Sequence, residues 1–453
     1  MRAAVSALNS NLLRWSSSGR AGVAIRGGIW SIAGYVSVQL LRTGTTLVLA
    51  RHFLGPELFG IIGLVGVFLA GLSMFSELGI VTNIVQHPRG DDPDFLNTAF
   101  CIQAARGSAI WIVSLMAAYP MAVLYEQPQL LPLLAVAGFS EMIRGLTSTS
   151  AWTLQRHVKL RSITLLLIAS EAVAFGISVL WALISPSAWA LIARTITAAA
   201  LYALGSHFIA KPAVRFRLDR AAARDILHFG GWISLGTATY FLSSQGERLI
   251  LGKLVTPAEL GCFSLAVMLI SVPGAGISQV LSQIFLPMIS AAVRTTREGT
   301  VRDFAKARQI CFAIGLAAAV GFLVFGKPFV SLLLNPKYQM TGWMMQILGL
   351  RLALDVFAAP LSNLILAFGL TKYSAAGNTA RLIGMVSGVW IAFALYGLWH
   401  AVVALILAQA LSYFPLIFGI KKVLPEVAVA ELRWYGVFLV LLALASIITW
   451  PNA

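Results

Sequence analysis

Charged side chains are scarce in this chain of 453 residues, and their scarcity excludes most soluble architectures. Only 11% of the residues are Asp, Glu, Lys or Arg, whereas a soluble domain carries about 25%. Hydrophobic residues make up 58%, and the mean hydropathy is +0.84. No stretch longer than about 25 residues is polar enough to fold outside a bilayer. The sequence therefore predicts an all-α integral membrane protein whose function resides in its helices and their short connections.

Residue patterns that hold metals, redox centres or nucleotides are also missing from the sequence. The three cysteines, Cys101, Cys262 and Cys311, lie far apart in apolar segments and form no CxxC pair, so we interpret them as small buried hydrophobic residues. There is no HExxH, DxD or Gly-rich phosphate loop, and the six histidines are scattered. We therefore expect no metal site and no cofactor.

Apolar runs long enough to cross a bilayer recur along nearly the whole chain. A spanning helix needs about 20 residues, and lipid offers no other economical way to satisfy the backbone. We predict about thirteen transmembrane helices near 27–50, 58–86, 95–122, 126–150, 163–184, 188–210, 230–251, 260–289, 309–333, 342–368, 374–396, 399–421 and 432–450.

The basic residues predict the orientation of these helices. Alternate loops hold 22 of the 33 Lys and Arg residues, Arg308 among them, while the opposite loops hold Arg51, Lys253 and Lys337. Because positive residues stay on the cytoplasmic side, the segment 1–26 is predicted to be cytoplasmic. This distribution also explains the formal charge of +16 without any binding of nucleic acid.

An internal repeat predicts two lobes. When the sequence is shifted by 202 residues, Gly28 aligns with Gly230 and Glu57 with Glu259, among nine identities over 31 positions. Six spans precede the second copy, so the halves are predicted to be parallel repeats, as in secondary transporters. We expect an N-lobe at 27–210, a C-lobe at 230–421 around a central cavity, and an extra helix at 432–450. The segment 211–229 between the lobes is predicted to be an amphipathic helix on the cytoplasmic membrane surface.

Three segments of the chain resemble one family of membrane proteins. They are LARHFLGPELFG at 49–60, LQRHVKLR at 154–161 and ERLILGKLVTPAELGCFSLA at 247–266. Together they are similar to the polysaccharide transporter family, the Wzx-like flippases of lipid-linked oligosaccharides, within the multidrug/oligosaccharidyl-lipid/polysaccharide (MOP) flippase superfamily. The sequence departs from the family pattern at Leu58, Glu247 and Phe263, where members often carry an acid, Asp and Tyr.

This resemblance implies a fold and a function. The fold is that of the MOP superfamily, with two six-helix lobes that rock around a central cavity. The function is export of undecaprenyl-pyrophosphate-linked oligosaccharide repeat units across the bacterial inner membrane for surface polysaccharide. The implied partners are the lipid-linked oligosaccharide and membrane lipids, with the polysaccharide polymerase and chain-length machinery as further partners.

Ionisable residues inside the predicted spans are the candidate site. A charge at the bilayer centre costs on the order of 2.5–3.5 kcal/mol even on the lenient scale, so most should face a cavity or a partner. Arginine donates bidentate hydrogen bonds to phosphate oxygens, and we predict that seven arginines bind an anionic head group. They are Arg42, Arg106, Arg144, Arg194, Arg248, Arg351 and Arg381.

Pairing within one helix is the alternative for two of these arginines. Glu141 and Arg144 are three residues apart, and Arg351 and Asp355 are four apart, so each pair can neutralise itself on one helix face. The other five arginines have no acid on the same helix face. Glu77 and Glu171 likewise have no basic neighbour at helical spacing. Together with Asp355 they are candidates for coupling transport to H⁺ or Na⁺.

Two other classes of function remain alternatives to the flippase. A multidrug or cation antiporter of the same superfamily would need an acidic cavity, whereas the predicted spans hold eight basic and five acidic residues. A membrane-embedded polymerase or glycosyltransferase would need a general base or metal-binding acids, and the short loops offer no such motif. The sequence therefore favours a transporter over an enzyme.

Overall fold

The computed structural model describes residues 20–449, without the side chains of residues 20–26, 446–449 and several positions between 229 and 295. Of the predicted cytoplasmic segment 1–26, residues 1–19 lie outside the described residues. Within the described range the secondary structure is helical, with no strand. The helices are α1 Arg20–His52, α2 Pro56–Phe75, α3 Ile80–Gln86, α4 Pro93–Leu124, α5 Leu130–Gly145, α6 Ala151–Arg156, α7 Leu160–Ile184, α8 Trp189–Ile209, α9 Arg220–Leu254, α10 Pro257–Thr295, α11 Arg297–Leu333, α12 Gln339–Ala367, α13 Thr371–Tyr396, α14 Leu398–Leu411, α15 Tyr413–Lys421 and α16 Pro425–Thr449.

Ten helical segments of the described chain are long and apolar enough to cross a membrane, where the sequence predicted about thirteen. Three of the predicted spans are absent from these ten. Helix α5 has 16 residues, fewer than the roughly 20 that a span requires. Helix α1 has 33 residues but carries Arg42 within its apolar run. Helix α9 has 35 residues, but several side chains between 229 and 240 lie outside the described residues, so the predicted span 230–251 stays a prediction.

The predicted span 58–86 is broken into two helices, and the break has a physical cause. Helix α2 ends at Phe75, and Gly79 adopts a left-handed conformation with φ of +59° before α3 begins. Arg106 of α4 donates to the Ser73 carbonyl at 2.6 Å and to the Ser76 hydroxyl at 3.1 Å. These bonds satisfy acceptors at the end of α2 that would otherwise be unpaired within the membrane.

The chain divides into two compact units. Residues up to Leu49 together with Phe68–Thr239 form the first, here called the N-unit, and Ala50–Val67 with the chain from Tyr240 form the second, the C-unit. Helix α2 thus contributes its first half to the C-unit and its second half to the N-unit. The lobe boundaries 27–210 and 230–421 stay a prediction.

The segment predicted as an amphipathic linker is helical only in its second part. Residues 211–219 are non-helical, and α9 begins at Arg220 and continues to Leu254. The side chain of Asp219 accepts a hydrogen bond from the Ala221 amide at 3.1 Å, which starts the helix as an N-cap does. Ala222 and Ile226 are then fully buried in a cluster with residues of α3 and α4. The start of α9 is therefore part of the N-unit core.

Arg89 joins the beginnings of two helices in the N-unit. Its guanidinium donates to Asp92 at 2.8 and 2.9 Å and to Asp219 at 3.2 Å, and Asp92 caps α4 through the Asp94 amide. The Arg89 hydrogen bond holds the pKa of Asp92 below its ordinary value. The pKa of Asp219 is lowered by the Ala221 amide first and then by Arg89.

The Arg89 contacts should be sensitive to acid. Both carboxyl groups have lowered pKa values in the folded state, so their contribution to stability is present above the unfolded pKa of about 3.9 and is lost as the pH falls through the folded values. The stability difference between the wild type and Arg89→Gln should be constant from pH 8 to 5 and shrink below about pH 4, as measured by thermal denaturation in detergent. Arg215→Gln, which removes an exposed arginine of the same region, is the control. A difference that grew in acid would contradict this role for Arg89.

Two glycines let α2 and α10 touch within the C-unit. A Cβ atom at Gly60 would overlap the Pro257 carbonyl, and one at Gly261 would overlap the Pro56 carbonyl. Pro257 at the start of α10 therefore faces Gly60 of α2, and Pro56 at the start of α2 faces Gly261 of α10. Tyr338 adds to this junction by donating to the Leu54 carbonyl at 2.8 Å. Close approach through small residues is how helices associate in lipid.

Adding a methyl group at this junction should destabilise the protein. We expect Gly60→Ala and Gly261→Ala each to cost about 1–3 kcal/mol, because backbone atoms must move apart. Gly66→Ala on α2 and Gly276→Ala on α10 are the matched controls, since a Cβ there meets no atom within 4 Å. Thermal denaturation of the detergent-solubilised protein measures the difference. Equal stabilities for Gly60→Ala and Gly66→Ala would show that the helices do not depend on this contact.

A buried ion pair fixes the last helix of the C-unit. Arg308 of α11 and Glu431 of α16 each have 1% of the side chain exposed. The guanidinium also donates to the Phe357 carbonyl and to the Tyr413 hydroxyl, and it lies 4.1 Å from the Phe357 ring centroid. Arg308 was predicted to lie in a loop, whereas it lies within α11 and its charge is neutralised by an acid 123 residues away. Its predicted cytoplasmic side stays a prediction.

Candidate functional site

The charged residues predicted in the spans gather around two pockets, one in each unit. Pocket 1, in the N-unit, has a volume of about 340 Å³, and its charged lining consists of Arg42, Glu77, Arg106, Glu141, Arg144 and Glu171. Pocket 2, in the C-unit, has a volume of about 690 Å³, and its charged lining consists of Glu247, Arg248, Arg351, Asp355 and Arg381. Arg194 joins pocket 1 through its bond to Glu171. All seven predicted arginines and the three predicted coupling acids are thus at one pocket or the other.

Glu171 is the centre of the charge network of pocket 1. Helix α7 places it between α1 and α8, with 6% of its side chain exposed. One carboxylate oxygen accepts from Arg42 at 2.6 and 2.7 Å, and the other accepts from Arg194 at 2.9 Å. Two guanidinium groups therefore share one carboxylate. The single negative charge of Glu171 balances only one of the two positive charges.

Arg106 and Glu77 form a second pair in pocket 1, at the break between α2 and α3. The guanidinium lies 3.1 Å from the Glu77 carboxylate, whose other oxygen accepts from the Gly79 amide at 2.9 Å. Arg106 also holds the end of α2, as described above. Its position is therefore fixed by backbone acceptors as well as by the acid.

The third pair of pocket 1 was predicted from the sequence and is confirmed. Arg144 and Glu141 lie three residues apart on α5, and their side chains meet at 3.4 Å. About half of the Arg144 side chain and half of the Arg42 side chain remain exposed. Within the described part of the pocket, four arginines face three glutamates. Both exposed guanidinium groups can therefore still donate to an added anion.

Neutral polar and aromatic side chains complete pocket 1. Gln103, Ser73, Ser170 and Tyr202 line it, together with Trp152. Among the side chains that the structure describes, the Trp152 ring nitrogen is a buried donor without a partner.

Pocket 2 is built on α9, α10, α12 and α13. Arg351 of α12 donates to Glu247 of α9, and both side chains are largely buried. The predicted partner of Arg351 was Asp355, one turn along the same helix. The acid that binds its guanidinium directly is instead Glu247, because α9 packs beside α12 and presents a carboxylate at bonding distance. Asp355 interacts electrostatically with Arg351 and Arg381.

The guanidinium of Arg248 donates to a neutral side chain of its own helix. Its Nη1 donates to the Gln245 side chain at 3.0 Å, and its Nε, like that of Arg194, is buried without a hydrogen-bond partner. Glu247 precedes it in sequence but points to Arg351. With three arginines and two acids, the described lining of pocket 2 also carries one more positive than negative charge.

Comparison of spacing along one helix missed most of these pairs. Arg42, Arg106 and Arg194 lack an acid on the same helix face, yet each binds a glutamate of another helix or turn. Glu77 and Glu171 have no basic neighbour at helical spacing, and their arginine partners come from other helices. The presence of five acids among the eight basic residues of the spans indicates that pairs can form, but it does not specify the partners.

Comparison with known proteins now identifies the family. The family described as "Polysaccharide biosynthesis protein" matches residues 48–342, which is more than half of the chain. The chain belongs to this polysaccharide biosynthesis protein family. The prediction made from the three sequence segments is thereby confirmed.

Individual members of the polysaccharide biosynthesis group are distant in sequence. The chain is 21% identical to the lipopolysaccharide biosynthesis protein WzxC of Escherichia coli K12, over 87% of this chain and 80% of that protein. It is 19% identical to a membrane protein of the cps region of Klebsiella pneumoniae, over 87% and 82%. It is 21% identical to the succinoglycan biosynthesis transport protein ExoT of Rhizobium meliloti, over 68% and 62%.

Solved structures place this family member in the fold that was predicted. The lipid II flippase MurJ in an inward closed conformation aligns with a TM-score of 0.67 at 15% identity, covering 93% of this chain and 97% of that one. An inward-facing MATE transporter of the MOP superfamily aligns with a TM-score of 0.62 at 16% identity, covering 87% and 96%. The fold is therefore the all-helical MurJ- and MATE-like fold of membrane transport proteins.

We expect the carboxylate of Glu171, which Arg42 and Arg194 share, to contribute more to stability than the pair of Glu141 with Arg144 on one helix. Glu171→Gln leaves Arg42 and the largely buried Arg194 without their counter-charge, and breaking a buried pair such as Arg194 with Glu171 costs on the order of 3 kcal/mol. Glu141→Gln is the matched control, because Arg144 is half exposed and can be solvated. We expect the first variant to melt at a clearly lower temperature than the second, as measured by size-exclusion chromatography after heating. Equal melting temperatures would mean that Glu171 does not organise the pocket.

Proposed function

We propose that this protein translocates undecaprenyl-pyrophosphate-linked oligosaccharide repeat units across the bacterial inner membrane, with its N-terminus in the cytoplasm. Membership in the polysaccharide biosynthesis family supports the pathway. The observation that carries the proposal is the pair of pockets, each inside a unit made of apolar helices and each with one more arginine than acid. A protein without an anionic ligand would have little reason to keep this excess in the bilayer.

The chemistry of the pockets fits a phosphorylated lipid. A pyrophosphate head group carries about two negative charges and presents oxygens that guanidinium groups bind in a bidentate way. Arg42, Arg144 and Arg248 have donor groups that the described acids do not fully use. Sugar rings would contact the aromatic and neutral polar lining, as Trp152 and Tyr202 provide in pocket 1.

The ion pairs give the empty transporter a stable resting state. Each paired arginine is neutralised when no substrate is bound, which lowers the cost of keeping it in the membrane. A substrate phosphate would compete with Glu77, Glu171 or Asp355 for its arginine. The released carboxylate could then take up H⁺ or Na⁺, which couples an ion gradient to alternating access of the two lobes. Polymerase and chain-length proteins would use the exported unit.

Arginine substitutions test the proposal. In a strain without the chromosomal copy, Arg42→Ala or Arg248→Ala should abolish surface polysaccharide, and lysine at the same position should restore only part of it, because an ammonium group cannot bind bidentately. Quantification of surface polysaccharide and an immunoblot of the membrane fraction are the measurements. Arg302→Ala, which removes an exposed arginine outside both pockets, is the control.

The same experiment separates a flippase from a drug antiporter. The flippase predicts that the inactive variants accumulate the lipid-linked unit on the cytoplasmic leaflet. Normal polysaccharide in all five single Ala variants of Arg42, Arg106, Arg194, Arg248 and Arg381 would remove the arginine-lined site. Normal polysaccharide combined with lost resistance to cationic dyes would favour the antiporter.

A further inference from the structure

An apolar groove in the C-unit lies outside the two charged pockets. It has a volume of about 480 Å³ and lies between α13 on one side and α14 with α15 on the other. Its principal walls are Tyr373, Ala376 and Ala380 of α13, which share one helix face, and Phe414, Pro415 and Phe418 of α15. The small side chains of Ala376 and Ala380 leave an open space, and the rings of Phe414 and Phe418 border it.

The packing of α13 explains why the groove stays open. Gly377 and Gly384 bring α13 against α14 and Ser412 so closely that a Cβ at Gly377 would lie 2.8 Å from the Ser412 carbonyl. This contact uses a narrow glycine face. On the neighbouring face Tyr373 packs against Gly419 of α15, while Ala376 and Ala380 border the open groove. Only 11% of the apolar window of α13 is buried, compared with 56% for the span Pro336–Ala367. Contacts within the described protein therefore leave most of the apolar surface of α13 exposed.

Lysine side chains collect at one end of the groove. The ammonium group of Lys422 lies 5.3 Å from the ring centroid of Phe418 and 5.7 Å from that of Tyr373, and Lys372 lies 5.3 Å from the Tyr373 ring. Lys421 is next to Lys422 at the end of α15. Among the residues that the structure describes, none of these lysines has an acidic partner. The groove thus joins an apolar channel to an uncompensated positive end.

We propose that this groove is a binding site for one anionic phospholipid of the cytoplasmic leaflet. The acyl chain would lie along the Ala376–Ala380 wall, and the phosphate would contact Lys372, Lys421 and Lys422. Charge complementarity favours an anionic over a zwitterionic head group, and basic pockets between spanning helices at the cytoplasmic side suit such lipids. The sequence distribution of basic residues places these three lysines on that side.

Occupancy of the groove would act on pocket 2 through α13. Tyr373 and Arg381 are on the same helix, eight residues or about 12 Å apart along its axis, and Arg381 lines pocket 2. A bound lipid would supply the packing that α13 lacks and so hold Arg381 in place. This lipid site does not depend on what the protein transports.

Native mass spectrometry of the delipidated protein tests the proposal. We expect phosphatidylglycerol to bind at least fivefold more tightly than phosphatidylethanolamine with the same acyl chains. Lys372→Gln combined with Lys422→Gln should abolish this preference. Lys306→Gln combined with Lys327→Gln, which removes two exposed lysines elsewhere in the C-unit, should keep it. Equal binding of both lipids by the wild type, or an unchanged preference in the groove variant, would overturn the proposal.

The apolar half of the groove is tested separately. Ala376→Phe should fill the channel and weaken phosphatidylglycerol binding at least fivefold, whereas Ala394→Phe, at an exposed position on the same helix, should not. Size-exclusion profiles check that both variants are folded. Unchanged binding to Ala376→Phe would place the lipid elsewhere. Displacement of phosphatidylglycerol by undecaprenyl phosphate at lower concentration would assign the groove to the lipid carrier and also overturn the proposal.

Discussion

Guanidinium groups in apolar helices impose the constraint on which this structure depends. Each such group must find a counter-charge, a backbone acceptor or water, since a lone charge in hydrocarbon is expensive. The structure uses all three solutions. Arg308 is fully buried with Glu431, Arg106 holds the carbonyl at the end of α2, and Arg42 keeps about half of its surface in a pocket. The position of each arginine along its helix therefore fixes which helices pack together.

The same chemistry occurs in closed pairs and at open pockets. A pair such as Arg308 with Glu431 is closed by Tyr413 and the Phe357 carbonyl. The pairs of the two pockets border open volume. Access to open volume, rather than presence in a span, therefore separates Arg308 from the arginines of the pockets. Sequence alone treats both kinds alike.

Much of the fold follows from hydrophobic length, and the exceptions have local causes. Runs such as 163–184 and 188–210 became α7 and α8, because the charged residues that they contain, Glu171 and Arg194, pair with each other. The run 58–86 failed because Glu77 and a left-handed Gly79 make a turn whose acceptors Arg106 satisfies. The linker at 211–229 failed in its first half because Asp219 starts the helix later. These details depend on side chains from distant segments, which periodicity does not show.

Intramembrane charge is visible in the sequence, and the ten side chains predicted from it all lie at one of the two pockets. Their role in binding stays a prediction, and most of their partners could not be predicted. The pair Glu141 with Arg144 was predictable because one helix fixes the distance. The pair Arg42 with Glu171 was not, because 129 residues separate them and only the packing of α1 on α7 brings them together. The same limit applied to Arg351, which binds an acid of a neighbouring helix.

The ion pair between α11 and α16 has a consequence for biosynthesis. Arg308 leaves the ribosome well before Glu431, so during translation α11 carries a charge whose counter-ion does not yet exist. Until the last helix is made, that arginine must stay hydrated or held by the insertion machinery. Closure of this part of the C-unit therefore requires the last helix, because α16 carries the counter-charge of Arg308.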